Sequence, residues 1–201
     1  NISPLLEKLM RRENLTTDES ADAMAAIMSG DATPAQIGAL LVGLTMKGER
    51  PAEIVGLAKT MRANAVQLTR TFDDAFDTCG TGGDRSGTFN ISSAAALVAA
   101  AAGLRVAKHG NRSVSSQCGS ADVYEALGVN IAAHPVVVER SLERVGIAFF
   151  FAQTFHPSMR HAAPVRRELG VRTAFNLLGP LTNPAGTRRQ LVGVPHSELT
   201  E

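Results

Sequence analysis

The chain contains no tryptophan, one tyrosine and two cysteines, and aromatic residues fill only 4% of its 201 positions. Scarce aromatics remove the stacking platforms that hold single-stranded nucleic acid, so base reading is not its main business. Cys79 and Cys118 have no CxxC spacing and are too few for a disulfide scaffold, which points to a reducing cytoplasm. A formal net charge of +1 offers no global field to a polyanion. Neither a nucleic-acid nor a membrane partner is expected: the apolar run at 94–102 is too short and alanine-rich to span a bilayer, and no charged segment followed by an apolar one opens the chain.

What is present is a core-forming composition, 44% hydrophobic, with basic charge carried mostly by arginine. Lys8, Lys47, Lys59 and Lys108 are the only lysines, so arginine supplies the other 16 of 20 basic residues. Its planar fork suits carboxylate and phosphate.

The first 65 or so residues read as a small helical domain. Ser3-Pro4 and Thr33-Pro34 place a capping residue before proline, and Thr16 with Glu19 and Thr33 with Gln36 fit capping boxes. Apolar residues recur at helical spacing in Leu5, Leu6, Leu9 and Met10, then in Ile37, Leu40, Leu41 and Leu44. A fourth helix is expected over 51–65.

From residue 75 to 201 the rhythm becomes strand, loop, helix: "AFDTC", "LRVA", "IAFFF" and "QLVGV" read as strands, with helices at 92–102, 121–127 and 136–144. This predicts an α/β domain with a mainly parallel sheet, incomplete at its C-terminal end, with helices around 155–175 packing on the helical domain. Ligands of such sheets sit beyond the carboxyl ends of the strands.

Two loops fall there. "DTCGTGGDRSGTFN" (77–90) has no GK[ST] and no correctly spaced third glycine, so it is neither a P-loop nor a dinucleotide fingerprint. Its glycines still let backbone N–H groups converge at a helix start, with Asn90, Ser92 and Ser93 as added donors: an anion cradle. The bland alternative is a turn followed by an ordinary helix cap. "KHGNRSVSSQCGSAD" (108–122) is read as a second donor-rich loop, with Ser120 capping the next helix. Two such loops at successive strand ends favour one polyphosphorylated ligand. His109 is expected to hold an anion or orient the loop rather than act as base, and Cys118 to be small filler. His156 and His161 are five apart with no thiolate pair, which argues against zinc.

In order and spacing, "GTGGD", "NIS", "KHGNRSVSS", "GSAD" and "HPSMRHAAPVRRELGVRTAFNLLGPLTNPAG" resemble the anthranilate phosphoribosyltransferase family over essentially the whole chain. The resemblance implies transfer of a phosphoribosyl group from phosphoribosyl pyrophosphate to the amine of anthranilate, in a homodimer associating through the helical domain. It implies that Gly80, Gly82, Gly83, Asp84, Thr88, Asn90, Ile91, Ser92 and Ser93 bind phosphoribosyl pyrophosphate. Lys108, His109, Gly110, Asn111, Arg112, Ser113, Val114, Ser115, Ser116 and Ser120 complete that site. Ser92 holds a magnesium ion (Mg2+), and Gly80, Asn111, Arg166, His156 and Pro180 face anthranilate, while Arg167 stays on the surface.

No covalent nucleophile is implied; a dissociative reaction is, with an electrostatic role for Lys108 at the departing pyrophosphate. Gln117 and Cys118 replace the family's lysine and serine, and Ser93 its threonine. Family members also continue into a segment carrying a magnesium-binding Asp-Glu pair, so 201 residues alone are expected to be weakly active or inactive. Two other readings are a pyrimidine nucleoside phosphorylase and a non-catalytic nucleic-acid-binding relative.

Overall fold

Thr16 Oγ1 accepts a hydrogen bond from Glu19 N (3.1 Å), and the Glu19 carboxylate accepts one from Thr16 N (2.9 Å). Thr33 and Gln36 repeat the exchange, so α2 (Thr17–Ser29) and α3 (Pro34–Lys47) begin where their capping boxes dictate. These elements come from a computed structural model, which describes residues 2–82, 87–113 and 118–200.

With α1 (Ser3–Met10) and α4 (Pro51–Ala63) they enclose a core of Leu9, Met24, Ile27, Ile37, Leu40, Leu41, Leu44 and Leu57. A side chain at Gly56 would land on the carbonyl of Thr17, so only glycine permits the close approach of α2 and α4. Beneath them Glu53, fully buried, accepts from Leu15 N (2.8 Å), Arg50 N (2.8 Å) and Lys47 Nζ (3.0 Å). Both oxygens of that carboxylate are thus engaged inside the fold.

The second body is a parallel sheet of β1 (Phe76–Asp77), β2 (Val106–Gly110), β3 (Ile147–Phe151) and β4 (Arg189–Gln190), in the order β3-β2-β1-β4. Parallel neighbours require crossovers. They are supplied by α5 (Ile91–Ala101) between β1 and β2, and by α6 (Ser120–Ala126) and α7 (Pro135–Val145) between β2 and β3.

Between β3 and β4 the chain returns to the helical body through α8 (Ala152–Phe155), a 3-10 turn (Pro157–His161), α9 (Ala163–Leu169) and α10 (Ala174–Leu181). Val165, Ala174, Phe175 and Leu178 enter the helical core. The helices expected around 155–175 are these short pieces, parted at Pro157 and at the left-handed Gly170. The expected last strand shrinks to Arg189–Gln190, and Ser3 is the first residue of α1 rather than its cap. Among the described residues no helix is long and apolar enough to cross a membrane.

Candidate active site

Strands β1 and β2 end side by side, and one carboxylate fixes both ends. Asp77 is fully buried; its Oδ1 accepts from Cys79 N (3.0 Å), where the glycine loop begins, and from His109 N (3.2 Å) in β2. Its Oδ2 accepts from Asn183 Nδ2 (2.8 Å), which also donates to Ala107 O (2.8 Å). Burial raises the Asp77 pKa, while the nearby Lys108 charge and these hydrogen bonds oppose the rise. Sequence reading missed Asp77 and Asn183; a carboxylate at a strand end directly before a glycine loop was the available signal.

The glycine loop is then held on several sides. Thr78 Oγ1 donates to Ser92 O (2.7 Å), tying the loop's root to the first turn of α5. Thr81 N donates to Gly193 O (3.0 Å), and a Cβ at Gly80 would stand 3.0 Å from that same oxygen. Arg172 reaches in with Nη1 on Gly82 O (3.2 Å) and Nη2 on Thr81 Oγ1 (3.1 Å).

At the start of α5, Asn90 occupies the cap position but makes no side-chain cap bond; its Nδ2 reaches Gly119 O (3.5 Å) in the second loop. Ile91 is exposed and Ser92 half-buried, while Ser93 Oγ is buried with no hydrogen-bond partner among the described residues. A helix start with an unpartnered hydroxyl beside glycine amides can bind an anion. Thr88 is exposed on the same approach, and the expected contributions of Gly83 and Asp84 lie outside the described residues.

The second loop differs from expectation at its root. Lys108 and His109 belong to buried β2 instead of the loop, because that strand is paired over its whole length with the apolar β3. Lys108, 2% exposed, donates to His109 O (3.0 Å). His109 Nδ1 bonds Gly179 O (2.9 Å), and burial lowers its pKa to about 4, so near neutral pH it adds no positive charge to an anion site.

Beyond Gly110, the Asn111 carbonyl accepts from Ala121 N (3.2 Å) and Ser120 Oγ (3.4 Å), curling the loop onto α6. Ser120 is the first residue of that helix; Gly119 holds the cap position, and its N–H is taken by Asp122 (2.8 Å). A side chain at Gly119 would strike the backbone of Asn111 and Ser113. The Arg112 guanidinium is engaged by Asp122 and Glu125 instead of standing free for phosphate. Val114, Ser115 and Ser116 lie outside the described residues.

Facing these loops is α10. Arg166, on α9, lays its guanidinium over the Phe175 ring at 5.4 Å and, among the described residues, has no carboxylate in ion-pairing reach. Burial lowers its pKa, yet guanidinium stays charged. Arg167 is exposed. Phe175 and Gly179 are four residues apart on α10, hence one turn apart on one face. Arg166 and His109 therefore touch the same side of the helix.

His156 joins them: its Nε2 bonds Thr182 O (3.0 Å) and its ring lies 5.4 Å from that of His109. Desolvation, then the neighbouring imidazole, lower its pKa to about 3. Carbonyl acceptors fix the N–H on His109 Nδ1 and His156 Nε2. The opposite nitrogens, His109 Nε2 and His156 Nδ1, are buried acceptors without partners among the described residues. Pro180 is buried on the same helix, its carbonyl accepting from Gln190 Nε2 (2.5 Å). Cys79, buried nearby with its pKa pushed up to about 12, is no nucleophile.

Comparison with known proteins agrees with this arrangement. The chain is 54% identical over its full length to anthranilate phosphoribosyltransferase of Methanosphaerula palustris, and 57% identical over 98% of its length to that of Moorella thermoacetica. It covers 60% and 58% of those proteins, so it spans somewhat over half the length of the curated relatives it matches.

Among solved structures, anthranilate phosphoribosyltransferase of Thermus thermophilus superposes with a TM-score of 0.89 at 51% identity, covering 96% of this chain and 59% of that one. The Saccharomyces cerevisiae enzyme in complex with PRPP and Mg superposes with a TM-score of 0.87 at 27% identity, covering 98% of this chain and 59% of that one. The helical bundle domain of the glycosyl transferase family matches residues 3–65, and the family's a/b domain matches residues 72–201. With that second match covering well over half of it, the chain belongs to the glycosyl transferase family.

Proposed function

We propose that the protein transfers the phosphoribosyl group of phosphoribosyl pyrophosphate to the amine of anthranilate, releasing pyrophosphate. One observation carries the reading: two glycine-containing loops, rooted on the single carboxylate of Asp77, open opposite a half-buried guanidinium, Arg166, that has no acid partner among the described residues. Glycine amides and the start of α5 suit the donor's phosphates. Arg166 suits the acceptor's carboxylate, and the Phe175 ring beneath it keeps the fork planar to its ligand.

The acceptor lies on the α10 side, where Arg166, His156, Pro180, Gly80 and Asn111 line its approach. The two unpartnered imidazole acceptors fit an aromatic amine, which offers N–H donors and no cation. Because both imidazoles are neutral, the amine keeps its lone pair for attack on the ribose carbon. As the carbon–oxygen bond to pyrophosphate breaks, charge accumulates on the leaving group, and the backbone N–H groups of Gly80, Gly82 and Ser92 stabilise it. Lys108, buried one strand residue below, contributes a fixed positive charge rather than a direct contact. Positioning and electrostatics supply the rate; no covalent intermediate is formed.

Magnesium fits as an ion shared between the donor's phosphates and the Ser92 hydroxyl. Among the described residues no group of three His, Cys, Asp or Glu could hold an ion. Ser92 and Ser93 can give one or two oxygens, which suits an ion that keeps waters and phosphate oxygens in its shell. When bound, it neutralises pyrophosphate charge.

We further propose a cytoplasmic homodimer associating through the helical body, where Met10 and Met46 stand exposed. The names of the relatives favour this function over a nucleoside phosphorylase. The test follows loss of anthranilate fluorescence with and without phosphoribosyl pyrophosphate and magnesium, using the natural full-length polypeptide. Consumption that requires both is expected; none under any magnesium condition overturns the assignment.

A further inference from the structure

Arg172 had no part in the sequence reading, yet it makes the only side-chain hydrogen bonds from the α9–α10 segment to the glycine loop among the described residues. It lies between α9 and α10, whose Val165, Ala174, Phe175 and Leu178 are built into the helical core. Its two hydrogen bonds end on Gly82 O and Thr81 Oγ1, in the loop that grows from β1 of the sheet. On its other side is a cavity of about 130 Å³ lined by Thr45, Glu49, Thr173 and Leu177. Glu49 there accepts from Thr45 Oγ1 (3.1 Å), and its charge favours the guanidinium.

The loop needs such an external hold. Gly82 is left-handed, at φ 65°, and a Cβ added there would meet nothing within 4 Å among the described residues. Gly193 supports the loop only through Thr81, from the sheet side.

We propose that Arg172 is a positioning residue that straps the glycine loop to the helical body and so fixes the loop's amides for the phosphorylated donor. A planar guanidinium presents its N–H groups to a carbonyl and a hydroxyl in a fixed fork, whereas an ammonium's three donors sit on one rotatable nitrogen and hold the pair in a less defined geometry. The inference rests on the function proposed above, with the donor placed on this loop.

The test compares the natural full-length protein with R172Q, R172K, T81V and the double variant R172Q/T81V. R172Q is expected to raise KM for phosphoribosyl pyrophosphate about tenfold while KM for anthranilate stays within about twofold, since a hydrogen bond to a charged group is lost only on the donor side. R172K is expected to recover about half of that loss on a logarithmic scale. In the double-mutant cycle, R172Q/T81V is expected to fall short of the sum of the two single effects, because both remove the Arg172–Thr81 contact, while T81V also removes the bond from Thr81 Oγ1 to Gly193 O (3.4 Å).

Equal effects on the two KM values, or strictly additive effects of R172Q and T81V, would overturn the strap. Binding of inorganic pyrophosphate by calorimetry is measured in parallel, with about tenfold weaker affinity expected for R172Q. If the wild-type protein fails to consume anthranilate but R172Q still weakens pyrophosphate binding, the function falls and the strap stands. Unchanged pyrophosphate affinity in R172Q overturns the strap whatever the catalytic outcome.

Discussion

The helical body and the open end of the sheet treat their buried ionisable groups in opposite ways. In the helical body Glu53 is sealed from solvent with both carboxylate oxygens bonded, to Leu15, Arg50 and Lys47. At the sheet end His109 Nε2 and His156 Nδ1, together with Ser93 Oγ, are sealed with no partner among the described residues. An unsatisfied buried polar atom costs about 1–3 kcal/mol. The helical body leaves two isolated hydroxyls, Ser20 Oγ and Thr173 Oγ1, in the same state, whereas the sheet end gathers three such atoms, two of them imidazole nitrogens, which marks it as the place where a ligand completes the bonding.

The largest way to break the contrast is to create an orphan in the helical body. Glu53→Ala leaves Lys47 uncompensated in an interior where its side chain is only 3% exposed. A loss of roughly 3–5 kcal/mol is expected, read as the shift in urea midpoint. A loss below about 1 kcal/mol would show that the carboxylate is not the organising group assumed here.

Acid should act at the sheet end next. His109 and His156 have folded pKa values lowered to about 4 and about 3, against an ordinary 6.5. Between those values and 6.5 the unfolded chain binds more protons than the folded one, so stability rises with pH and is lost as pH falls from about 6.5 toward 4 and then 3. The loss is on the order of 3 kcal/mol for His109 alone. Replacing His156 with Gln should flatten the stability profile between pH 4 and 6.5; an unchanged slope would contradict the buried neutral pair.

Arg166→Ala tests the site without touching the body. A rise of about tenfold or more in KM for anthranilate is expected, with KM for the donor little changed. An unchanged anthranilate KM would remove Arg166 from the acceptor site. The smallest effect belongs to an exposed helix end: Thr16→Ala should cost about 1 kcal/mol in thermal unfolding and leave both KM values alone. Altered kinetics there would mean the two regions are more tightly coupled than their contacts indicate.

The same contrast decides what could be read from the sequence. Thr16, Glu19, Thr33 and Gln36 act on neighbours within one helical turn, so their roles are legible in a short window and the structure forms both boxes. Lys108 and His109 look like loop donors because they are polar and border a glycine. Their burial is decided by β3, some forty residues away, whose Phe149 and Phe150 pair opposite them.

Asp77, Arg172 and Asn183 escaped because their partners are remote in sequence. Asn183, for instance, meets Asp77 from 106 residues away. Arg166 became distinguishable from Arg167 through the family resemblance, since adjacent arginines on a helix present no local difference. The structure supplies the physical one: a ring beneath the first and open exposure for the second.

The support that Gly193 gives Thr81 spans 112 residues. At a synthesis rate of about 5–20 residues per second, the glycine loop leaves the ribosome roughly 6–20 seconds before its sheet-side support exists. Helices α1–α4, whose contacts with one another fall within the first 63 residues, can assemble in that interval. On the growing chain the donor loop is among the last parts to take its working shape, so an unfinished polypeptide has little means of holding the donor.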